Sequence, residues 1–361
     1  MGLKCGIVGL PNVGKSSLFN ALTESSIPAE NFPFCTIEPN VGIVNLPDNR
    51  LDTIHAITNS ASKIHNTTTF VDIAGLVKGA ASGEGLGNAF LSNIREVNAI
   101  LHVVRCFEDE KIVHVHGKTD PVNDFEVINL ELALADIAML ENSMQKIEKK
   151  LRSGEKNLQR EFEVLKHSKE SIESSKELDT SLFDEYQKSY LRSLNLLSFK
   201  PVLVIANISE TDSLNNVEPL LTLCNEKGLK VIQAVIKNEL EIAQLDPNER
   251  DQYLEILEME NTVLEKIILA SYKLLNMGTF FTTGPKESRA WSFKLGSTAP
   301  QAAGVIHSDF QKGFIKAEVI SFEDFIACNG MLNAKNNGKV RLEGKEYAMC
   351  DGDITHFKFN V

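Results

Sequence analysis

The sequence predicts an α/β fold with a largely parallel β-sheet, followed by a small α+β unit. Short apolar, β-branched runs recur between residues 4 and 234, and helical patterns separate them. Such runs are typical of parallel strands that are buried on both faces. Beyond residue 278 the pattern changes to short strands and turns. The predicted strands of the parallel sheet are Lys4–Val8, Thr68–Ile73, Ala99–Val104, Val202–Ala206 and Lys230–Ala234.

The composition is that of a globular protein with two or three domains. The chain has 361 residues, of which 43% are hydrophobic and 24% are charged. No run approaches the ~20 apolar residues of a membrane span, and the first strand leaves no room for a signal peptide. The six cysteines form no Cys-x-x-Cys pair, which favours a reducing compartment. We expect a cytoplasmic, monomeric protein with no membrane partner.

The net charge of −12 argues against broad, charge-driven binding of nucleic acid, and we expect no DNA partner. Residues 280–361 carry ten Lys/Arg against nine Asp/Glu, a balance of +1, so the preceding residues carry −13. The C-terminal part is therefore the one least repelled by a phosphate-rich partner. Its candidate contact residues are Lys286, Arg289, Lys294, Lys312 and Lys316.

A phosphate-binding motif follows the first predicted strand. Residues 9–16 read G-L-P-N-V-G-K-S, a complete G-x-x-x-x-G-K-S motif. Its glycines let the backbone curl so that N–H groups face phosphates, and the following helix adds its positive N-terminal end. The lysine is expected to bridge the outer phosphates. The motif predicts a nucleoside triphosphate site that includes Asn12, Val13, Gly14, Lys15, Ser16 and Ser17.

The remaining parts of a nucleotide site follow at suitable intervals. The Ser16 hydroxyl is expected to bind Mg²⁺, and Asp72, at the end of a predicted strand, is placed to hold the same ion. Gly75 completes the D-x-x-G pattern, and its N–H is expected to reach the γ-phosphate. Thr36, in the loop after the first helix, is expected to complete the metal shell. The sequence therefore predicts Mg²⁺ as a cofactor.

The base-recognition segment departs from that of a GTPase. Guanine readers carry N-K-x-D after the fourth strand, whereas this chain has Asn207-Ile208-Ser209-Glu210. Ile208 replaces the lysine stem, and Glu210 displaces the carboxylate by one methylene, which is compatible with adenine. Asn207 either contacts the base or braces the phosphate loop. Phe107, just after a strand, lines the base pocket or serves in ordinary packing.

The group expected to orient water for hydrolysis also differs from that of a GTPase. Leu76 occupies the position of the water-orienting glutamine of Ras-like proteins and cannot hydrogen-bond water. His114 and His116 are candidates for that role, the alternative being solvated loop histidines. Asn12 is a candidate for holding a monovalent cation such as K⁺ against the phosphates.

Residues 126–198 are predicted to form a helical insertion. Two apolar stripes with near-heptad spacing flank Ser153-Gly154, which indicates an antiparallel coiled-coil hairpin; one continuous helix is the alternative.

Farther on, a helical run is expected to end at Gly278. A hairpin is predicted around Asp351-Gly352, between the runs 345–350 and 354–359.

Five motifs carry a resemblance to one family over essentially the whole chain. They lie at residues 9–17, 31–40, 72–80, 207–210 and 289–314. The sequence closely resembles the Obg-like ATPases of the YchF type. The resemblance implies an Obg-type P-loop nucleotide-binding domain over residues 1–278, interrupted by the coiled-coil insertion at 126–198. It implies a TGS domain, a β-grasp module, over residues 279–361.

The same resemblance implies a function. It implies an ATP hydrolase with slow intrinsic turnover that binds ribosomes, through rRNA and ribosomal protein, and it implies a catalytic role for His114. The stretch Gln233–Lys237 departs from the family pattern, which leaves base contacts from this loop in question. Two alternatives stay open: a GTPase of ribosome assembly, and a nucleotide-gated binding module in which hydrolysis is incidental.

Overall fold

Two six-stranded β-sheets organise the chain. The computed structural model describes residues 3–24, 40–73, 86–109, 111–115, 117–151, 156–210, 216–256 and 261–360. Within these ranges no helix is long and apolar enough to cross a membrane. The strands are β1 (Lys4–Val8), β2 (Val41–Asn45), β3 (Ser62–Ile64), β4 (Thr67–Asp72), β5 (Ala99–Arg105), β6 (Val202–Asn207), β7 (Lys230–Ala234), β8 (Met277–Thr283), β9 (Glu287–Lys294), β10 (Phe314–Ile320), β11 (Arg341–Glu343) and β12 (Ile354–Phe359).

Helices surround both sheets and connect most of the strands. They are α1 (Lys15–Glu24), α2 (Asn49–Thr58), α3 (Leu86–Glu96), α4 (Pro121–Leu151), α5 (Lys156–Ser174), α6 (Glu185–Leu194), α7 (Glu218–Glu226), α8 (Ile236–Ala243), α9 (Pro247–Ile256), α10 (Val263–Leu274), α11 (Ala299–Ile306), α12 (Ser308–Lys312), α13 (Phe322–Ala327) and α14 (Met331–Asn336).

The first sheet contains all five strands that the sequence predicts. Its order is β2-β4-β1-β5-β6-β7, and every neighbouring pair is parallel except β2 with β4. Side chains of α1 and α10 cover one face, and side chains of α7 cover the other. Burial on both faces explains why these strands are continuous apolar runs. The parallel α/β sheet is confirmed, and the antiparallel edge strand β2 is an addition.

The helical insertion contains two long helices that lie side by side. Leu140 and Ile147 of α4 belong to the same buried cluster as Leu165 of α5. Lys169 Nζ also lies 2.6 Å from Glu141 Oε1. These contacts require the chain to reverse direction between α4 and α5, so the alternative of one continuous helix is wrong. The coiled-coil character of the pair stays a prediction.

The second sheet recruits a segment from the first part of the chain. Its order is β11-β10-β12-β8-β9-β3, and β3 pairs in parallel with β9. Leu51 and Ile54 of α2 are fully buried against Phe281 and Phe325. Arg50 reinforces this docking, because its Nη1 lies 2.8 Å from Asp351 Oδ2. The predicted domain boundary at residue 278 stays a prediction, but β3 is a strand of the second sheet and α2 packs against that sheet.

Two local predictions in this region are wrong. Helix α10 ends at Leu274, and Asn276 (φ 54°) takes the left-handed position, which asparagine tolerates. Gly278 instead lies within β8, where a Cβ would come within 2.7 Å of Leu295 Cδ2. The hairpin around Asp351-Gly352 is also absent, because β12 pairs with β10 and β8. The turn itself exists, closed by a bond from Asp353 N to Cys350 O (3.2 Å).

Candidate nucleotide-binding site

The phosphate loop joins β1 to α1, as the motif predicts. Asn12 (φ 62°) and Gly14 (φ 85°) both have left-handed backbones. Such conformations turn successive N–H groups towards a common centre. A Cβ on Gly14 would come within 2.5 Å of Asn207 Nδ2, and one on Gly9 within 2.5 Å of Val103 O. Space therefore requires glycine at both positions, and at Gly14 the positive φ requires it as well.

Lys15 and Ser17 lie in the first turn of α1, whose N-terminus faces the loop. The Lys15 ammonium donates to Leu10 O across 3.4 Å. Burial lowers the pKa of Lys15, and the nearby Asp72 carboxylate partly opposes that effect. A partly buried cation that is bound only weakly by a carbonyl gains most from an anionic ligand. Lys15 is therefore placed to receive phosphate.

Ser16 and Asp72 meet, as predicted, because β1 and β4 are neighbouring parallel strands. Ser16 Oγ donates to Asp72 Oδ2 across 2.9 Å. The second oxygen, Oδ1, is buried and accepts no hydrogen bond from the part of the chain that the structure describes. An unsatisfied carboxylate oxygen beside a hydroxyl is the hard oxygen donor set that Mg²⁺ prefers. The residues present fit this ion. Thr36 and Gly75 lie outside the described residues.

Asn207 braces the phosphate loop. Its Nδ2 donates to Val13 O across 2.9 Å, and its Oδ1 accepts from Ile236 N across 3.4 Å. Both ends of the amide are thus used within the protein, and the side chain is buried. Of the two roles that the sequence leaves open for Asn207, the structure shows the brace.

The other two candidate residues of the segment, Ile208 and Glu210, point to different surroundings. Ile208 packs against the apolar cluster beneath α7, which includes Val217 and Leu220. Glu210 is exposed, and its Oε1 accepts a hydrogen bond from Asn238 Nδ2 of α8. Ile208 therefore serves in packing, and the Glu210 carboxylate is engaged by a neighbouring helix.

Phe107 lies just beyond β5, close to the brace. The strands place Arg105 opposite Asn207, and Cys106 N donates to Asn207 O across 2.8 Å. The Phe107 ring is partly exposed, and the Arg105 guanidinium lies over it at 4.6 Å from the ring centroid. This position, at the carboxyl end of the sheet, suits a residue that lines a nucleotide pocket. A contact with the base stays a prediction.

His114 is buried rather than solvated. Its ring is 4% exposed, and Nε2 lies 2.9 Å from Oδ2 of Asp124, which is in the first turn of α4. The preceding carbonyl, Val113 O, accepts from Asn12 Nδ2 across 3.1 Å. The histidine thus follows directly after a backbone contact with the phosphate loop. His116 and Leu76 lie outside the described residues.

Sequence reasoning missed two residues of this region. Asp124 has no motif around it, and only the tertiary packing of α4 brings it to His114. Arg105 did leave a signal, since it is a charged residue at the end of a strand whose every residue is buried. A buried arginine in such a strand requires hydrogen-bond partners nearby.

The sheet and the phosphate loop define a P-loop nucleotide-binding protein of the GTPase type. A family model described as "50S ribosome-binding GTPase" matches residues 4–129. A second, YchF-GTPase_C, described as "Protein of unknown function (DUF933)", matches residues 277–360. The chain belongs to the YchF family.

Relatives match over the whole chain. The protein is 50% identical to the "Ribosome-binding ATPase YchF" of Escherichia coli O157:H7, with 100% of both chains covered. It is 48% identical to the protein of the same name in Bacillus subtilis strain 168, again with 100% of both covered. Among solved structures, the Schizosaccharomyces pombe YchF GTPase is 34% identical and has a TM-score of 0.85, with 99% and 98% of the two chains covered.

Proposed function

We propose that this protein is an Mg²⁺-dependent ATPase that associates with ribosomes. The observation that carries the proposal is the phosphate loop with Ser16 and Asp72 assembled beside it. The E. coli and B. subtilis relatives are both named ribosome-binding ATPases. These names are the basis for proposing the ribosome as the partner and adenine as the base. We also propose that the nucleotide-binding domain is of the Obg type, that residues 126–198 form a coiled coil and that residues 279–361 form a TGS domain.

The triphosphate binds along the loop backbone from Asn12 to Ser17. Lys15 would approach the outer phosphates, and the N–H of Gly75 would contact the γ-phosphate. Ser16, Thr36 and Asp72 would hold the metal. When bound, Mg²⁺ neutralises charge that builds up on the phosphate oxygens. Asn12 would help to hold K⁺ against the phosphates.

Adenine is favoured over guanine by the surroundings of Ile208 and Glu210. A guanine clamp needs a carboxylate that accepts from two base donors, whereas the Glu210 carboxylate already accepts from Asn238. Ile208 is packed under α7 and offers no stem along the base. Phe107 lines the pocket by stacking. This argues against the alternative of a GTPase, although the S. pombe relative carries that description.

His114 orients the attacking water in this proposal. In the tautomer in which Nε2–H donates to Asp124, Nδ1 is the acceptor, as a water-orienting group requires. The ring is only 4% exposed in this structure, which fits slow intrinsic turnover. The same burial favours the second candidate function, a nucleotide-gated binding module in which ATP acts as a ligand.

The ribosomal contact involves residues 279–361. The structure places Arg289 and Lys294 on β9 but Lys316 on β10, with β12 and β8 between these strands. The cations therefore do not form one row along a strand. Binding should depend on shape and ribosomal protein as well as on rRNA, with only a moderate salt dependence.

Equilibrium binding and turnover test the proposal together. We expect ATP to bind with an advantage over GTP of about 1–3 kcal/mol, roughly 5- to 150-fold. Ribosomes should accelerate turnover. Tighter binding of GTP in Mg²⁺ buffer would contradict the base assignment. Tight ATP binding with no turnover, with or without ribosomes, would favour the gated module.

A further inference from the structure

Among the residues that the structure describes, Arg105 is one of the largest fully buried side chains. It is the last residue of β5 and is 2% exposed. A buried guanidinium must recover the interactions with water that it has lost, so its hydrogen bonds show what it is there to hold.

All three guanidinium nitrogens donate to main-chain carbonyls of the segment that follows β5. Nε lies 3.0 Å from Phe107 O, Nη1 3.0 Å from Ile112 O, and Nη2 3.1 Å from Asp109 O. Arg95 is different, because it is 29% exposed and pairs with the Asp136 carboxylate at 3.3 Å. Arg105 thus gathers carbonyls from three positions of one loop.

If stability were the only role of Arg105, burying its charge would be an unfavourable solution. An apolar side chain of similar volume is often at least as stabilising in a protein interior. What arginine adds is a rigid, planar set of donors that fixes several acceptors in one geometry. The arrangement therefore points to the shape of the loop rather than to packing.

The loop that Arg105 shapes carries two residues of the proposed nucleotide site, Phe107 and His114. At its beginning, the Phe107 ring lies under the guanidinium at 4.6 Å. At its end, Ile112 leads into Val113, whose carbonyl contacts Asn12 of the phosphate loop, and then into His114. The positions of Phe107 and His114 relative to the phosphate loop are thus set from one side chain.

We propose that Arg105 is a positioning residue of the nucleotide site, acting through Phe107 on the base and through the Ile112 carbonyl on His114. The inference rests on the proposed ATPase function. It assigns no contact between Arg105 and the nucleotide.

Arg105→Lys tests the proposal, because lysine keeps the charge but cannot hold three carbonyls in one plane. ATP affinity and turnover at saturating ATP should each fall about tenfold, which corresponds to one lost contact of ~1.4 kcal/mol. Affinity for inorganic tripolyphosphate, which has no base, should not change. Arg95→Lys is the matched control and should leave all three values unchanged.

A purely structural role would lower the melting temperature but leave the ratio of ATP to tripolyphosphate affinity intact. That result would overturn the inference. Wild-type protein that neither binds nor hydrolyses ATP would instead refute the proposed function, before any variant is compared.

A second variant covers the case in which Arg105→Lys does not fold. Phe107→Leu removes the ring but keeps the main-chain carbonyls on Arg105. It should weaken ATP binding while leaving tripolyphosphate affinity unchanged. Unaltered ATP affinity would overturn the inference. Where both variants fold, the double variant should lose less ATP affinity than the sum of the two single losses; additive losses would contradict action through Phe107.

Discussion

The phosphate-loop region and the second sheet are held together by different kinds of contact. Around the phosphate loop, side-chain amides hold main-chain carbonyls, as Asn207 holds Val13 and Asn12 holds Val113. In the second sheet, Leu51 and Phe281 bury apolar surface in a shared core. Directional hydrogen bonds fix geometry with little net gain in stability, whereas apolar burial stabilises with little directional demand. Changes in the first region should therefore alter ligand binding, and changes in the second should alter stability.

The largest effect is expected for Lys15→Ala. Removing one partner of a desolvated charge pair costs roughly 2–5 kcal/mol, so triphosphate affinity should fall by about 30- to 5,000-fold. The unfolding midpoint without nucleotide should stay the same, because the partner charge is the ligand. Calorimetric titration with ATP measures the change, and Lys227→Ala, at an exposed lysine, is the control. Retained affinity would place the phosphates elsewhere.

Leu51→Ala should give the opposite result. The side chain is fully buried in the core of the second sheet, and its removal should cost about 2–5 kcal/mol of unfolding free energy. ATP affinity should be unchanged. Urea unfolding measures the loss, with Leu342→Ala, at a leucine 64% exposed on β11, as the control. Equal losses in the two variants would show that α2 does not contribute to this core.

His102 should lower the stability of the protein in acid. Complete burial lowers the pKa of His102 to about 3, from an ordinary 6.5. Between these values the unfolded state binds a proton that the folded state does not, so stability falls as the pH falls from 6.5 towards 3. From pH 7 to pH 5 the loss should be about 2 kcal/mol.

Urea unfolding of wild type and His102→Leu at the two pH values tests this. The variant should lose the part of the pH dependence that comes from this residue. Phe125→Leu removes the ring that stacks on His102 at 5.0 Å but keeps the histidine, so it should retain the dependence. An identical pH dependence in wild type and His102→Leu would show that another group is responsible.

The smallest of these effects concerns turnover. His114→Ala should bind ATP normally but hydrolyse it at least ~10-fold more slowly, in the presence of ribosomes, because the water-orienting group is gone. Asp124→Asn should slow turnover in the same direction, since the amide no longer fixes the histidine tautomer. Stopped-time phosphate release at saturating ATP measures both. If His114→Ala hydrolysed ATP at the wild-type rate, this histidine would have only a structural role.

The sequence was informative wherever a pattern is local. The strand Lys4–Val8, the phosphate loop and the start of α1 follow from residues adjacent in the chain, and the structure reproduces their bounds. The pairing of Ser16 with Asp72 was also predictable, because parallel strands of a P-loop fold bring their carboxyl ends to one edge. The turn around Asp351 was predictable as a turn but not as a hairpin.

Only the tertiary structure decided which side chains contact each other when the two residues lie far apart in the chain or when no motif marks them. The spacing of Leu51 and Ile54 does not say which sheet they cover, and Arg50 meets Asp351 across 301 positions. Asn207 reaches Val13 across 194 positions, and His114 finds Asp124 only because α4 packs beside the loop. Local patterns record backbone preference and burial, which each segment carries by itself. Side-chain partners depend on how all segments pack together, and that is a property of the whole chain.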